Sequence, residues 1–182
     1  HAALQDLHER STQEQQSIEA LQKALSTAEE LARIDPLTHA LNAKGLEDGL
    51  EREMARASRY RTPVCLASMA LEGMHALGLE HGPALVEQAQ RHLAMVVRSV
   101  LRPQDLLARV QPNQFFAVLA SASADNALQA LIRLQEELDR RPLLSEDEKI
   151  SLRISAGVVQ AWPSESHPDL MNRAEQSLHN AQ

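Results

Sequence analysis

Three groups of residues carry side chains of the types that chemistry uses. The first is a turn. Leu106 to Val110 and Phe115 to Leu119 read as two short apolar strands, with Gln111-Pro112-Asn113-Gln114 between them. The amides of Gln and Asn lack the negative charge that a hard divalent cation wants, and Pro112 has no N–H to offer a phosphate. Pro and Asn are also residues that turns favour, so the segment reads as a plain turn. The second group is His75 and His81, near Glu72 and Glu80. Their types suit a metal, but the spacing matches no recognised ligand pattern, and they read as exposed loop residues. The third is Cys65, the only cysteine. It lies in an apolar run and reads as an inert core thiol, with no disulfide framework.

These candidates sit in a chain of 182 residues, long enough for one domain with a full core plus an appendage. A formal net charge of −7 disfavours a general binder of nucleic acid or of anionic membranes, because phosphate surfaces demand a basic face. Aromatic residues are only 2% of the chain, too few to build a stacking platform for single-stranded bases. A nucleotide can still be held by a local pair of arginines. No run is apolar enough for a transmembrane segment or a signal peptide, so the expected location is cytoplasmic, without direct membrane contact. The chain starts at His1 rather than Met, which reads as a piece of a longer protein.

The elements that must position the candidates follow from periodicity. Residues 1 to about 33 hold no Pro or Gly, and Leu4, Leu7, Ile18, Leu21, Leu25, Ala28 and Ala32 fall at 3-4 spacing, interrupted by Ser11 and Glu14. That is a heptad seam with a polar break, the pattern of a parallel coiled coil, expected to pair two copies of the chain. A single amphipathic helix folded back on the domain is the alternative. Proline disfavours helix in the residue before it, so Asp35-Pro36 ends this first unit, residues 1–33, and a second runs from 34 to 182. The second unit predicts a helix from about Ala43 to Arg59 and a buried central strand from Val64 to Leu71. After that come a helix from about Pro83 to Leu101, the two strands of the turn, and a helix from Ala124 to Arg140. The inner face of that last helix is marked by Leu128, Leu131, Ile132, Gln135 and Leu138. Residues 142 to 149 read as an acidic loop, and Ile150 to Gln160 as a strand.

Four segments together resemble the GGDEF family, the diguanylate cyclases that join two GTP molecules into the bacterial second messenger cyclic di-GMP. Asp35-Pro36-Leu37-Thr38-His39-Ala40-Leu41-Asn42 is similar to the family's opening Asp-x-Leu-Thr-x-x-x-Asn. The turn through Phe115 is similar to its signature hairpin, Ser155-Ala156-Gly157-Val158 to its Ser-x-Gly-Val strand, and Arg173 to Gln182 to its closing helix. The resemblance implies an α/β fold, a mostly antiparallel five-stranded sheet flanked by helices and led by the long coiled-coil helix.

What the resemblance implies for the site is mixed. The family's hairpin carries two glycines and two acidic residues, which fall here on Gln111, Pro112, Asn113 and Gln114. A second metal-holding Asp falls on Ala70. Glu72 points to the same side of the strand as Ala70 but has no second carboxylate beside it. The base-reading positions fall on Gly78 and Glu87, and the phosphate-facing lysines on His75 and Gln182. These losses imply no catalytic residues, no metal, no cofactor and no enzyme. The family's inhibitory Arg-x-x-Asp, which binds cyclic di-GMP, falls on Arg102-Pro103-Gln104-Asp105, and a further arginine of that site falls on Arg133. A guanidinium forks onto a phosphate or guanine edge, and a carboxylate accepts guanine N–H groups. The expectation is a catalytically inactive domain that binds cyclic di-GMP through Arg102, Asp105 and Arg133, with a ligand-free dimerisation or protein-interaction module as the alternative. A neighbouring phosphodiesterase-type or other signalling domain is the expected companion.

Overall fold

The structure is a computed structural model and describes residues 1–182. Helix α1 spans Ala2–Leu31, and every one of its residues is exposed. Its chain then turns through residues 32–42 into α2, Ala43–Tyr60, whose start is fixed by Asn42: the Asn42 side chain accepts the Gly45 N–H at 2.9 Å. Such a cap stabilises a helix by roughly 1 kcal/mol. Strand β1, Val64–Leu71, follows, then a short helix α3, Met74–His81, and α4, Pro83–Val100. The hairpin is β2, Leu106–Gln111, and β3, Gln114–Ala120; α5 covers Ala124–Arg140. A small hairpin of β4, Leu143–Ser145, and β5, Glu148–Ile150, leads to β6, Ile154–Gln160, and to α6, His167–Ala181.

The main sheet has the order β2-β3-β1-β6, and every pair in it is antiparallel. Its strands alternate side chains between two helical layers. Phe115, Met69 and Cys65 face α4 and α5, where they meet Leu93, Val97, Leu134 and Leu138. Phe116, Leu66 and Val64 face α2 and α6, against Leu46, Leu50, Leu170 and Ala174. Covered on both faces, β1 is apolar along nearly its whole length. At Gly157 of β6, α6 lies so close that a Cβ would run into Ser177, so this strand position accepts no side chain.

The α/β class and the antiparallel sheet are as expected, but the main sheet has four strands rather than five. The segment before α2 makes only single bridges, Ile34 to Leu41 and Leu41 to Ala108, because Pro36 and the turn at Thr38 interrupt it. The remaining two strands pair with each other alone. Residues 142 to 149 are therefore mostly hairpin, not loop: Leu143 and Ile150 are paired and turn inward. Strand β6 starts at Ile154, four residues later than expected. The inner face of α5 is Ala127, Leu134 and Leu138, while Leu128 and Ile132 lie outside at 49% and 45% exposure. Leu131 and Leu138 face inward as expected, so the helix is turned by less than one residue from the face expected, toward Ala127 and Leu134.

Candidate functional site

The hairpin turn lies at one end of the sheet, beside the end of β1. Ala70 pairs with Gln114 on one side and Ser155 on the other, and the Leu71 N–H donates to the Asn113 carbonyl at 2.9 Å. Gln111 pairs with Gln114, leaving Pro112-Asn113 as a two-residue turn, with a shift of register after Arg109. The turn is tied down by its neighbours. Gln90, a polar residue 3% exposed on the inner face of α4, donates from Nε2 to the Asn113 side-chain oxygen at 2.9 Å. Arg109 donates to Gln90 Oε1 at 3.0 Å, to the Pro112 carbonyl at 3.0 Å, and to Asp35 at 2.9 Å.

Asp35 in turn accepts the N–H and hydroxyl of Thr38. Burial pulls the Asp35 carboxyl up, but the bonds from Thr38 and the Arg109 charge outweigh it and hold the group below the usual carboxylate range. A continuous network thus runs from the linker after α1, through the hairpin, to α4. Glu72 accepts the Ser155 hydroxyl. Nowhere in the chain do three His, Cys, Asp or Glu side chains converge to hold a metal ion.

His75 and His81 belong to α3, not to a loop. Gly73, at φ 74, starts that helix and Gly82, at φ 89, ends it. His81 lies 3.7 Å from Glu80 and 3.8 Å from Glu148, the latter brought near by the β4–β5 hairpin. Cys65 is buried, and burial pushes its thiol up to about 11, which keeps it protonated and unreactive.

Arg102 and Asp105 lie at the other end. Strand β3 runs away from the turn to Ala120, which pairs with the first residue of β1, Val64. There Asp105 accepts the Arg102 N–H at 2.9 Å and the Ala120 N–H at 3.1 Å, and Arg102 donates to the Ala120 carbonyl. The two side chains meet at 3.4 Å, with the Asp105 side chain 3% exposed and that of Arg102 47% exposed. Asp105 therefore shapes the turn into β2, while Arg102 faces solvent. Arg133 is exposed on α5 and makes no hydrogen bond or ion pair with either of them. Arg102 and Asp105 also line a cleft of about 400 Å³, whose other wall is His39, Ala40 and Leu41 of the linker.

Residues 32–182 match the family model described as "Diguanylate cyclase, GGDEF domain". The chain belongs to the GGDEF family. Diguanylate cyclase DgcP of Pseudomonas aeruginosa is 28% identical over 98% of this chain, and probable diguanylate cyclase DgcT of Escherichia coli is 26% identical over 75%. This chain spans only 26% and 31% of those two proteins. Among solved structures, the coiled coil and GGDEF domain of DgcB from Caulobacter crescentus, in complex with c-di-GMP, superposes with a TM-score of 0.83 at 25% identity. It covers 96% of this chain and 93% of that one. Diguanylate cyclase SiaD of P. aeruginosa, in complex with its activator SiaC, has a TM-score of 0.79 at 25% identity, covering 98% and 67%. No helix of this GGDEF chain is long and apolar enough to cross a membrane.

Several residues that organise the site carry signals that sequence reasoning passed over. Arg109 is a lone cation inside an apolar strand run, and Gln90 a lone amide on the apolar face of a helix. Each needs a buried partner, and each is the other's. A wider cleft, about 870 Å³, lies beside Trp162. There Arg173 stacks 3.7 Å from the indole centroid and pairs with Glu165 at 2.7 Å.

Proposed function

We propose that this is a catalytically inactive GGDEF domain that acts as a receptor for cyclic di-GMP, presented as a homodimer by α1. The observation that carries the first half is the state of the hairpin. Phosphodiester formation of this kind uses divalent cations held between carboxylates. Ala70 has no ligand atom, and the amide oxygen of Asn113 is already bonded to Gln90. Pro112 offers no N–H to a triphosphate, and its carbonyl is held by Arg109. The relatives named diguanylate cyclases bear on the fold and the ancestry of the domain; the residues at the turn are this chain's own.

The receptor half is supported by Arg102, whose guanidinium stands half exposed at the mouth of a cleft, and by the DgcB structure, which is itself a complex with c-di-GMP. Arg102 is the ligand-facing group; Asp105 fixes it in place; Arg133 completes the site if the ligand reaches α5. Dimerisation is supported by α1. Leu4, Leu7, Leu21 and Leu25 are 61–71% exposed on a helix that buries none of its residues, and their heptad spacing suits a second copy.

Calorimetric titration with cyclic di-GMP, run beside GTP with Mg²⁺, tests the reading. Low-micromolar binding of cyclic di-GMP, with neither binding nor turnover of GTP, is the expected result. Formation of cyclic di-GMP from GTP refutes the inactive domain. Silence towards both nucleotides leaves the dimerisation module.

A further inference from the structure

The Arg102 cleft has a wall that comes from the linker. His39, Ala40 and Leu41 close one side of it, Arg98 and Leu101 of the α4 terminus lie behind, and Arg102 and Asp105 form the other side. Arg98 donates from Nη2 to the Thr38 carbonyl at 2.8 Å. A guanidinium has five donors, and Arg98 has no carboxylate partner, so its remaining donors are free for an anion. The carboxylate of Asp105 is bonded to backbone N–H groups and nearly fully buried. In a chain of net charge −7, this cleft presents two arginines and a histidine against one occupied carboxylate.

On the reading that Arg102 binds cyclic di-GMP, we infer that Arg98 and His39 complete the site, contacting a ligand phosphate, so that an occupied site grips the linker between α1 and the domain. The geometry gives the route. Thr38, whose carbonyl Arg98 holds, donates its N–H and hydroxyl to Asp35, and Asp35 also accepts a hydrogen bond from Arg109, which leads to the hairpin. The linker backbone is also stitched to β2, through the Leu41 N–H to the Leu107 carbonyl at 2.9 Å and the Arg109 N–H to the Leu41 carbonyl at 2.8 Å. His39 holds φ 58, in the left-handed region, and lines the cleft. A ligand phosphate between Arg98, His39 and Arg102 ties α4, the linker and the turn before β2 into one body. Binding then restrains the junction that α1 must use to transmit a signal.

The test combines calorimetry with hydrogen exchange on the whole chain. Cyclic di-GMP should slow exchange of the Asp35, His39 and Leu41 amides, all of which are hydrogen-bonded within the linker or to β2. Arg98→Ala should weaken binding about tenfold, the loss of one charged hydrogen bond, and abolish that protection. His39→Gln should weaken it by about threefold. Arg98→Lys keeps a charge and one donor for the Thr38 oxygen, and should recover most of the affinity. If Arg98 merely supports the linker, affinity in the two Arg98 variants follows their melting temperatures, and the inference fails. It fails too, with the receptor reading intact, if Arg102→Ala abolishes binding while the Arg98 and His39 variants bind as the parent does and linker exchange stays unchanged. No binding by the parent chain overturns both.

Discussion

The two ends of the sheet handle polar side chains in opposite ways. At the hairpin end, Asp35, Arg109, Gln90 and Asn113 are bound to one another and largely withdrawn from solvent. At the Arg102 end, the carboxylate is withdrawn but the guanidinium is left outside. A buried, mutually satisfied network contributes stability and specificity of packing; it offers no unfilled donor or acceptor to a ligand. An exposed guanidinium beside a cleft contributes little to stability, yet is free to pair with a phosphate. At the hairpin the polar groups are bonded to one another, while at the other end one guanidinium keeps donors facing solvent.

Substitution should separate the ends cleanly. The largest effect is expected from Arg109→Ala. It removes one side of an ion pair whose partners are 14% and 12% exposed, and it strands Gln90 and Asp35. Breaking such a pair costs about 3 kcal/mol, which lowers the melting temperature by roughly 6–12 °C in a domain of this size. Cyclic di-GMP affinity, measured below the transition, should change far less than in Arg102→Ala, because Arg109 does not line the Arg102 cleft. Arg102→Ala should do the reverse. Affinity falls by roughly 10- to 100-fold through lost charged hydrogen bonds, while stability drops by only about 1 kcal/mol with the bond to the Ala120 carbonyl. A melting loss at Arg102 as large as that at Arg109 breaks the contrast.

Acid sharpens the same comparison. Asp35 is held below its ordinary value, so its contribution to stability is complete above the unfolded value near 4 and is lost as pH falls through the lower folded value. The stability gap between the parent chain and Arg109→Ala should therefore be full at pH 6 and narrow below about pH 4, as Asp35 takes a proton and its pairing disappears. Denaturant midpoints between pH 3 and 6 measure it. A gap that stays constant through that window means Arg109 acts through packing and not through Asp35.

The fold was legible in the chain where burial is two-sided or a helix is capped. Val64–Leu71 declares itself as a central strand because both faces are covered, and α2 starts where Asn42 caps it. What could not be read is rotational or long-range. The face of α5 depends on Ala127 sitting closer to the sheet than Leu128, a choice that the alternating spacing of leucines does not encode. The α3 helix is bounded by two glycines at positive φ, and its eight residues are too few for periodicity to show. The site was half legible. Arg102 and Asp105 are neighbours in sequence, so their pairing is local, whereas Gln90 meets Asn113 across 23 positions and Arg109 meets Asp35 across 74. Short-range pairing leaves a pattern in the sequence; the network at the hairpin exists only in the folded chain.

The smallest effect expected is also the most informative about the hairpin end. Asn113→Asp is isosteric, and Gln90 Nε2 donates equally well to a carboxylate oxygen, so stability should stay within about 0.5 kcal/mol. Combined with Ala70→Asp, it puts a second carboxylate at the end of β1, next to the residue whose N–H bonds the Asn113 carbonyl. Oxygen ligands of that charge suit Mg²⁺ or Mn²⁺, and weak Mn²⁺ binding by the double variant is expected, measured by paramagnetic relaxation of water protons. Turnover of GTP should still be absent, because Pro112 continues to withhold an N–H from the triphosphate. Cyclase activity in that double variant would mean that only two carboxylates separate this hairpin from a working one, and that the network around Gln90 is compatible with catalysis.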